Sequence, residues 1–286
     1  MAVATADRLR FLWLEVTGRC QLRCRHCYAE SGPDGNHGSM TATDWRRVLD
    51  EAAELGVNDV QLIGGEPTLH PDLPDLVRHA LRLGLAVEVY SNLARPMPDT
   101  LWSVFELPRV RLATSYYSAD ATMHDWITKG RGSHRRTRSN IVESRRRGIP
   151  IRVGIVDMQD GQGVEQARAE LAALGVERIH VDRLRQVGRG VRDQEPSVDQ
   201  LCGRCADGVL GVSPTGDVWP CVLARWRSLG NVHDATLADI HESAETVRGE
   251  LAEAFAIRAA KDEQCPPDKD GDPGVCDPDL KDLPKK

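Results

Sequence analysis

A repeated unit of helix, glycine and strand constrains the fold of this chain more than any other feature. Four charged helical stretches each end in a glycine that a short aliphatic run follows, at Leu55-Gly56, Leu83-Gly84, Arg147-Gly148 and Leu174-Gly175. A glycine just past a helix adopts the left-handed conformation that closes it, and aliphatic runs of this length are typical of buried parallel strands. Two further runs, residues 9–16 and 110–116, complete six strands. The alternation predicts an α/β fold, a parallel sheet or open partial (β/α)6 barrel, up to about residue 190.

The first helix of the series is readable in its apolar spacing. Trp45, Val48, Leu49 and Ala52 recur at intervals of three and four residues, which is typical of one buried helix face. Thr41 and Thr43 precede or open this stretch, and a threonine is a favoured N-terminal cap. The spacing therefore predicts a helix that packs on the sheet.

The pattern changes after residue 190. Residues 188–197 are polar and contain glycine, as linkers do, and five of the eight cysteines lie beyond them with a hairpin-like segment at 212–218. We therefore predict two domains, residues 1–190 and residues 191–286. The tail from Cys265 onward is rich in Pro, Asp and Gly and has too little apolar content to bury a core, so we expect it to be frayed or pinned by Cys265 and Cys276.

Composition excludes several classes of protein. The chain has 286 residues, of which 41% are hydrophobic and 28% charged, a composition typical of soluble globular proteins. It has neither an apolar run long enough to span a membrane nor a signal peptide, so we predict a cytoplasmic protein without a membrane partner. The net charge of −6 argues against a nucleic-acid partner. In a reducing compartment, cysteines are expected to bind metal or react as thiols, not to form disulfides.

Three of the cysteines form a C-x3-C-x2-C motif directly after the first predicted strand, at Cys20, Cys24 and Cys27. Three thiolates in one short loop can hold a four-iron cubane cluster and leave one iron open. An open coordination position distinguishes a working metal site from a structural one. The alternative is a zinc knuckle that His26 or His37 completes.

Polar residues follow the ends of the other predicted strands. They are Gly64-Gly65-Glu66-Pro67, Ser91-Asn92, Ser115, Asp157 and Arg183. In parallel barrels the reacting groups gather where the strands end, so we expect these residues to converge on one mouth with the cysteine loop. A glycine pair lets backbone approach a ligand closely, and a carboxylate suits an ammonium group; the alternative is a tight turn with a helix-start carboxylate. Glu15, at the end of the first strand, is a further candidate for contact with substrate.

Together, the cysteine motif and Gly-Gly-Glu-Pro resemble the radical S-adenosylmethionine (SAM) superfamily over about residues 9–190. The resemblance implies that Cys20, Cys24 and Cys27 bind a 4Fe-4S cluster whose fourth iron chelates the amino and carboxylate groups of SAM. It also implies a set of SAM contacts. Gly65 and Glu66 would hold the amino group, Ser91 and Asn92 would lie near the ribose and Ser115 near the methionine carboxylate. Gly64, Pro67, Asp157 and Arg183 would be further cofactor contacts.

The second cysteine group comprises Cys202, Cys205, Cys221, Cys265 and Cys276. By itself, C-x2-C with a cysteine behind a hairpin is compatible with a zinc ribbon. The spacing from Gly216 to Cys221 resembles the twitch or SPASM domain of radical SAM enzymes, and the resemblance implies one auxiliary 4Fe-4S cluster. Cys221, Cys265 and Cys276 are the firmer ligands, and Cys202 and Cys205 compete for the last position. The spare thiol would be structural, regulatory or, as in radical SAM epimerases, a catalytic hydrogen-atom donor.

By resemblance, such an enzyme takes an electron from a donor such as flavodoxin or ferredoxin, cleaves SAM to a 5'-deoxyadenosyl radical and abstracts hydrogen from carbon. The favoured substrate is a ribosomally synthesised peptide, to be epimerised or crosslinked. The alternative is an amino-sugar substrate, as for an epimerase or dehydrogenase of aminoglycosides, and a non-catalytic zinc protein is more remote. Only 19 residues precede Cys20, so we expect no fused leader-recognition domain at the N-terminus. Seven arginines between Arg131 and Arg147 form either a basic surface for an acidic partner or a solvated helix face.

Overall fold

Nine strands form one sheet in the computed structural model, which describes residues 8–159 and 161–261, with side chains to residue 257. The strands are β1 (Phe11–Glu15), β2 (Asp59–Ile63), β3 (Ala86–Tyr90), β4 (Val110–Tyr116), β5 (Ile151–Asp157), β6 (Arg178–Arg183), β7 (Val209–Val212), β8 (Asp217–Trp219) and β9 (Gly230–Asn231). Their order across the sheet is β6-β5-β4-β3-β2-β1-β7-β8-β9. Strands β1 to β6 are parallel neighbours in chain order, so the predicted open partial barrel is confirmed.

Seven α-helices accompany the strands in the described residues. They are α1 (Ala42–Glu54), α2 (Leu73–Arg82), α3 (Asp99–Phe105), α4 (Ala121–Thr128), α5 (Ser133–Arg146), α6 (Val164–Ala173) and α7 (Leu237–Lys261). The apolar face predicted for α1 is buried, and Thr41 caps the helix through a reciprocal capping box with Asp44. Thr43 lies inside the helix. Within the described part of the chain, no helix is long and apolar enough to cross a membrane.

On the inner face of the barrel, charged residues lie away from the mouth. Glu88 is 2% exposed and binds Arg152 through two hydrogen bonds of 2.6 and 3.0 Å. Arg111 donates to the same carboxylate at 3.0 Å and to Asp59 at 2.8 Å. Because each buried charge here has a partner, the ion pairs fill the barrel interior without leaving an isolated charge.

The C-terminal region continues the sheet across the predicted domain boundary. β7 pairs in parallel with β1, with Leu210 beside Leu12, and β8 returns antiparallel, so the predicted hairpin is confirmed. Leu210 and Val218 belong to the same buried apolar cluster as Leu12. The division at residue 190 stays a prediction, and the core that positions the site includes residues from both sides of it.

Candidate functional site

A cavity of about 290 Å³ opens at the carboxyl ends of the parallel strands, where the polar residues at the strand ends are expected to meet. Its lining includes Cys20, Cys24 and Cys27 from the loop after β1, and Cys202 and Cys221 from the C-terminal region. The two cysteine groups therefore share one space.

Hydrogen bonds hold the first cysteine loop in place. The amide of Cys20 donates to the Gly32 carbonyl at 3.0 Å, and the amide of Leu22 points at the Cys20 sulfur at 3.4 Å. Arg189, beyond β6, donates from Nε to the Cys24 carbonyl at 2.8 Å and from Nη2 to the Ser31 carbonyl at 2.6 Å. One guanidinium thus spans the loop from the far side of the cavity.

The chemistry of the three thiols fits an iron-sulfur cluster. Burial, with a further contribution from the charge of Glu66, raises the pKa of the Cys20 thiol to about 12. Burial and the neighbouring Cys27 and Cys20 also raise the pKa of Cys24. Such thiols stay protonated unless positive charge compensates their thiolates, and iron ions supply that charge. The donor set therefore suits a cationic metal cluster.

The histidines of the zinc-knuckle alternative pack against other rings. His26 lines the cavity and contacts Tyr117 edge to face, with ring centroids 4.8 Å apart, and His37 contacts His70 at 5.0 Å. Among the residues that the structure describes, no three His, Cys, Asp or Glu side chains lie close enough together to hold a single metal ion.

The glycine pair lies against the cysteine loop. A Cβ on Gly64, whose φ is +144°, would lie 2.3 Å from the Thr17 carbonyl oxygen, and one on Gly65 would lie 2.3 Å from that of Arg19. The amide of Gly65 donates to Thr17 at 2.6 Å, and the amide of Glu66 donates to Arg19 at 2.8 Å. The absence of a side chain at both glycines thus lets the backbone of the cysteine loop pack closely against them. Both glycines also line the cavity.

Glu66 lies behind the cavity wall and is fully buried. Its carboxylate accepts hydrogen bonds from the Ser91 hydroxyl at 2.7 Å, the Asn92 amide at 2.8 Å and the Thr68 hydroxyl at 2.6 Å. Burial raises the pKa of Glu66, and these hydrogen bonds oppose the rise. Asn92 faces the cavity, and its Nδ2 lies 3.5 Å from the Cys20 sulfur. Ser91 and Glu66 therefore support the residues that face the cavity.

The other predicted SAM contacts also divide into residues that line the cavity and residues that do not. Ser115, bonded to the Tyr90 hydroxyl at 3.0 Å, and Arg183 line the cavity. Pro67 lies buried at the start of a short 3-10 helix, and Asp157 accepts from the Gln159 amide at 2.8 Å; neither lines the cavity. Asp157 and Arg183 are the last residues of β5 and β6.

Glu15 is 2% exposed and does not line the cavity. It pairs at 2.7 Å with Arg225, whose guanidinium lies 4.1 Å from the Trp219 ring centroid. Burial raises the pKa of Glu15, while Arg225 and Tyr28 oppose the rise. In this geometry the carboxylate connects β1 to the segment after Cys221.

The second cysteine group is partly described. The sulfurs of Cys205 and Cys221 lie 3.2 Å apart, and both residues are buried. Cys202 is half-buried and faces the cavity, and Cys205 does not. Cys265 and Cys276 lie outside the described residues. Cys20, Cys24 and Cys27 are free thiols.

Several residues of the site had no assignment from the sequence. Gln61 lines the cavity from within a buried strand, and a polar residue inside an aliphatic run is a signal that could have placed it in the barrel interior. Arg189 lines the cavity from a one-turn 3-10 helix and Arg204 from a loop, and no periodicity in the sequence marks either residue. The arginine-rich segment lies on α5 and the loop before it. There Arg138 pairs with Glu170 at 2.7 Å and Arg146 with Glu143 at 2.7 Å, which favours a solvated helix face.

Comparisons with known proteins agree with this geometry. The profile of the radical SAM superfamily matches residues 14–174, and that of an iron-sulfur cluster-binding domain, SPASM, matches residues 202–268. The PqqA peptide cyclase of Xanthomonas campestris pv. campestris (strain 8004) is 30% identical, over 81% of this chain and 73% of that protein. That of Rhodopseudomonas palustris is 25% identical, over 88% and 60%.

Solved structures show the same fold. SuiB of Streptococcus suis bound to S-adenosylmethionine superimposes with a TM-score of 0.66 at 16% identity, over 80% of this chain and 64% of SuiB. This chain therefore spans slightly less than two thirds of SuiB. BtrN in complex with AdoMet and 2-DOIA superimposes with a TM-score of 0.53 at 16% identity, over 87% and 89% of the two chains. The chain belongs to the radical SAM superfamily and carries a SPASM iron-sulfur domain.

Proposed function

We propose that this protein is a radical SAM enzyme that crosslinks a ribosomally synthesised peptide. The observation that carries the proposal is one cavity lined by residues of both cysteine groups, in which a SAM site and an auxiliary cluster would face the same substrate space. The 30% identity to PqqA peptide cyclases supports a peptide as substrate and ring formation as outcome. Epimerisation is the second outcome, and the half-buried Cys202 on the cavity is the thiol that favours it.

The proposed cofactors are SAM, one 4Fe-4S cluster on Cys20, Cys24 and Cys27, and one auxiliary 4Fe-4S cluster in the C-terminal region. When bound, the first cluster supplies the electron that splits SAM into methionine and a 5'-deoxyadenosyl radical, which takes a hydrogen atom from a substrate carbon. The proximity of Cys205 and Cys221 supports both as auxiliary ligands. A low-potential donor such as flavodoxin or ferredoxin, in the cytoplasm, would reduce the enzyme.

Residues of the cavity wall would bind and orient SAM. Gly64 and Gly65 present backbone next to the cysteine loop, and Asn92 and Ser115 present polar side chains from the ends of β3 and β4. Glu66 would act from behind the wall: it holds the Asn92 amide at 2.8 Å and so orients Asn92 toward the cysteine loop. Trp13 and Leu22 add apolar lining that would exclude water from the reacting atoms.

The charge of the cavity favours a peptide over an aminoglycoside. Among the described residues that line it, the charged ones supply one carboxylate and four guanidinium groups: Asp182, Arg183, Arg185, Arg189 and Arg204. Aminoglycosides carry several ammonium groups, which such a wall repels. A neutral or acidic peptide segment meets no such repulsion.

The test is anaerobic reconstitution of the full chain with iron and sulfide, followed by reaction with SAM and a strong reductant. We expect about eight irons per chain and formation of 5'-deoxyadenosine. The substrate to test is a peptide encoded beside the gene of this protein. A crosslinked product is lighter than that peptide by two hydrogen atoms, whereas an epimerised product keeps the mass of the peptide in ordinary water and takes up deuterium in deuterated solvent. An enzyme that turns over an aminoglycoside and no peptide would contradict the proposal.

A further inference from the structure

Three of the four arginines on the cavity wall already have partners within the protein. Arg183 donates to the Asp199 carbonyl. Arg185 binds the Asp182 carboxylate at 2.9 Å and the Gln200 carbonyl at 3.0 Å. Arg189 spans the first cysteine loop, as described above. Their guanidinium groups therefore hold the wall together.

Arg204 differs from these three. It lies between Cys202 and Cys205, is half-buried and lines the cavity. Only its backbone carbonyl has a hydrogen bond, from the Asp207 amide at 3.2 Å, and its guanidinium has no partner among the described residues. A partly desolvated guanidinium favours a planar carboxylate, which it can bind through two parallel hydrogen bonds.

The described part of the cavity wall offers no free carboxylate for Arg204. Asp182 is the one acidic residue in that lining, and Arg185 binds both of its oxygens, at 2.9 and 3.2 Å. Glu15 and Glu66 are buried outside the lining and are bonded elsewhere. Among the described residues, therefore, no carboxylate binds the Arg204 guanidinium, and one that enters with a ligand would do so.

We propose that Arg204 binds a carboxylate side chain of the substrate peptide. Arg204 reaches the cavity from the C-terminal region, whereas Gly64, Gly65, Asn92 and Ser115, the proposed SAM contacts, reach it from β2 to β4. The assignment rests on the proposed peptide substrate and specifies its class: an acidic residue is held next to the carbon that reacts.

The test uses the full chain with reconstituted clusters and SAM, immobilised and exposed to a pool of randomised synthetic peptides. The peptides are N-acetylated and C-terminally amidated, so that side chains are the only carboxylates, and mass spectrometry sequences those that bind. We expect Asp and Glu to be enriched over Asn and Gln by about tenfold, as one charge-assisted contact predicts. Arg204→Gln should remove this preference, and Arg204→Lys should restore part of it.

The matched control is Arg168→Gln, which removes an exposed guanidinium from α6 and should leave the preference unchanged. Arg204→Gln should also retain the native iron content and affinity for SAM. If either falls in that variant, Arg204 serves the cofactors and the inference is wrong. Enrichment of peptides without acidic residues would overturn this inference alone, whereas failure to enrich any sequence would also overturn the peptide substrate.

Discussion

The two cysteine groups share one cavity but are built in different ways. Cys20, Cys24 and Cys27 lie within one continuous loop at the end of β1, and the amide of Arg25 anchors this loop to the Ile127 carbonyl of α4 at 2.9 Å. Cys205 and Cys221 are sixteen residues apart and meet because the Ala206 amide bonds to the Pro220 carbonyl at 2.9 Å across the β7–β8 hairpin. The first group belongs to the barrel framework, and the second depends on strands added to its edge.

Under the proposed function, this difference would separate initiation of the chemistry, at the first group, from its completion, at the second. Damage to the first group should stop SAM cleavage, while damage to the second should leave the barrel mouth intact. Several contacts join the two regions besides the pairing of β7 with β1. One is the pair between Glu15 and Arg225, and another is the Pro214 carbonyl, which accepts from the Ser39 and Met40 amides at 3.0 and 3.1 Å.

The largest effect should come from replacing one thiol in each group. Cys24→Ser should abolish formation of 5'-deoxyadenosine, because the first cluster loses a ligand, whereas Cys221→Ser should retain that activity and lose peptide modification. Each variant should keep about half of the native iron, since a separate cluster remains. Iron analysis measures the iron content of each variant, and chromatography of the SAM products measures formation of 5'-deoxyadenosine. SAM cleavage by Cys24→Ser, or its loss in Cys221→Ser, would contradict the division.

The next largest effect should come from breaking the ion pair between Glu15 and Arg225, which joins the two regions. Arg225→Gln leaves Glu15 buried without its partner and should lower the free energy of unfolding by about 3 kcal/mol. Burial already raises the pKa of Glu15, and loss of Arg225 raises it further. A carboxyl group whose pKa is higher in the folded state binds more protons there, so stability falls as the pH rises through that pKa.

Urea unfolding at about pH 5 and about pH 8 should therefore show the larger loss for Arg225→Gln at the higher pH. The control is Arg227→Gln, which breaks a solvent-exposed pair with Glu250 on α7 and should cost less than about 1 kcal/mol. An equal loss in the two variants would show that the buried pair does not stabilise the junction.

Arg189 tests how firmly the first cysteine loop is held. Arg189→Gln removes the bonds to the Cys24 and Ser31 carbonyls, and we expect unfolding to become easier by about 2 kcal/mol. The loop should also exchange its amide hydrogens faster, while β7 and β8 stay protected. Hydrogen exchange with mass spectrometry distinguishes these segments. Arg192→Gln, an exposed neighbour, is the control. An equal increase in amide exchange in the first cysteine loop and in β7 and β8 would contradict the view that the two cysteine groups are held in different ways.

The smallest effect concerns His124, on the α4 side of the first cysteine loop. Burial, with a smaller contribution from His134, lowers the pKa of His124 to about 4, below its unfolded value of about 6.5. Between these values the unfolded chain binds more protons, so stability is lost as the pH falls. His124 should account for a loss of about 1 kcal/mol on going from about pH 7.5 to about pH 5.5, which His124→Gln should remove. The control is His233→Gln, at an exposed site, which should retain the loss of stability between these two pH values.

Sequence reasoning succeeded where structure is local. The glycines after helices marked β2, β3, β5 and β6, because helix closure and a following apolar run involve neighbouring residues. Thr41 and the buried face of α1 were readable for the same reason. The C-x3-C-x2-C motif lies in one loop, so its convergence needed no knowledge of distant contacts.

Sequence reasoning was incomplete where residues meet across long separations. The hairpin at β7 and β8 was predicted, but the pairing of β7 with β1 was not, since a short apolar run does not specify its neighbour in a sheet. Glu66 was assigned to the mouth from its position after β2, yet its carboxylate turns away to meet Ser91 and Thr68. Arg189, in a one-turn 3-10 helix, and Arg204, in a loop, lie where no sequence pattern marks them.

By itself, the sequence determined the alternation of helices and strands, the parallel barrel and the first cysteine loop, because short-range propensity and spacing encode each of them. Only the tertiary structure decided that β7 extends the barrel sheet, that Glu15 pairs with Arg225, and that both cysteine groups open onto one cavity. These features follow from which surfaces bury each other and which charges find partners. Such a choice depends on the whole folded chain and is not written in any segment of it.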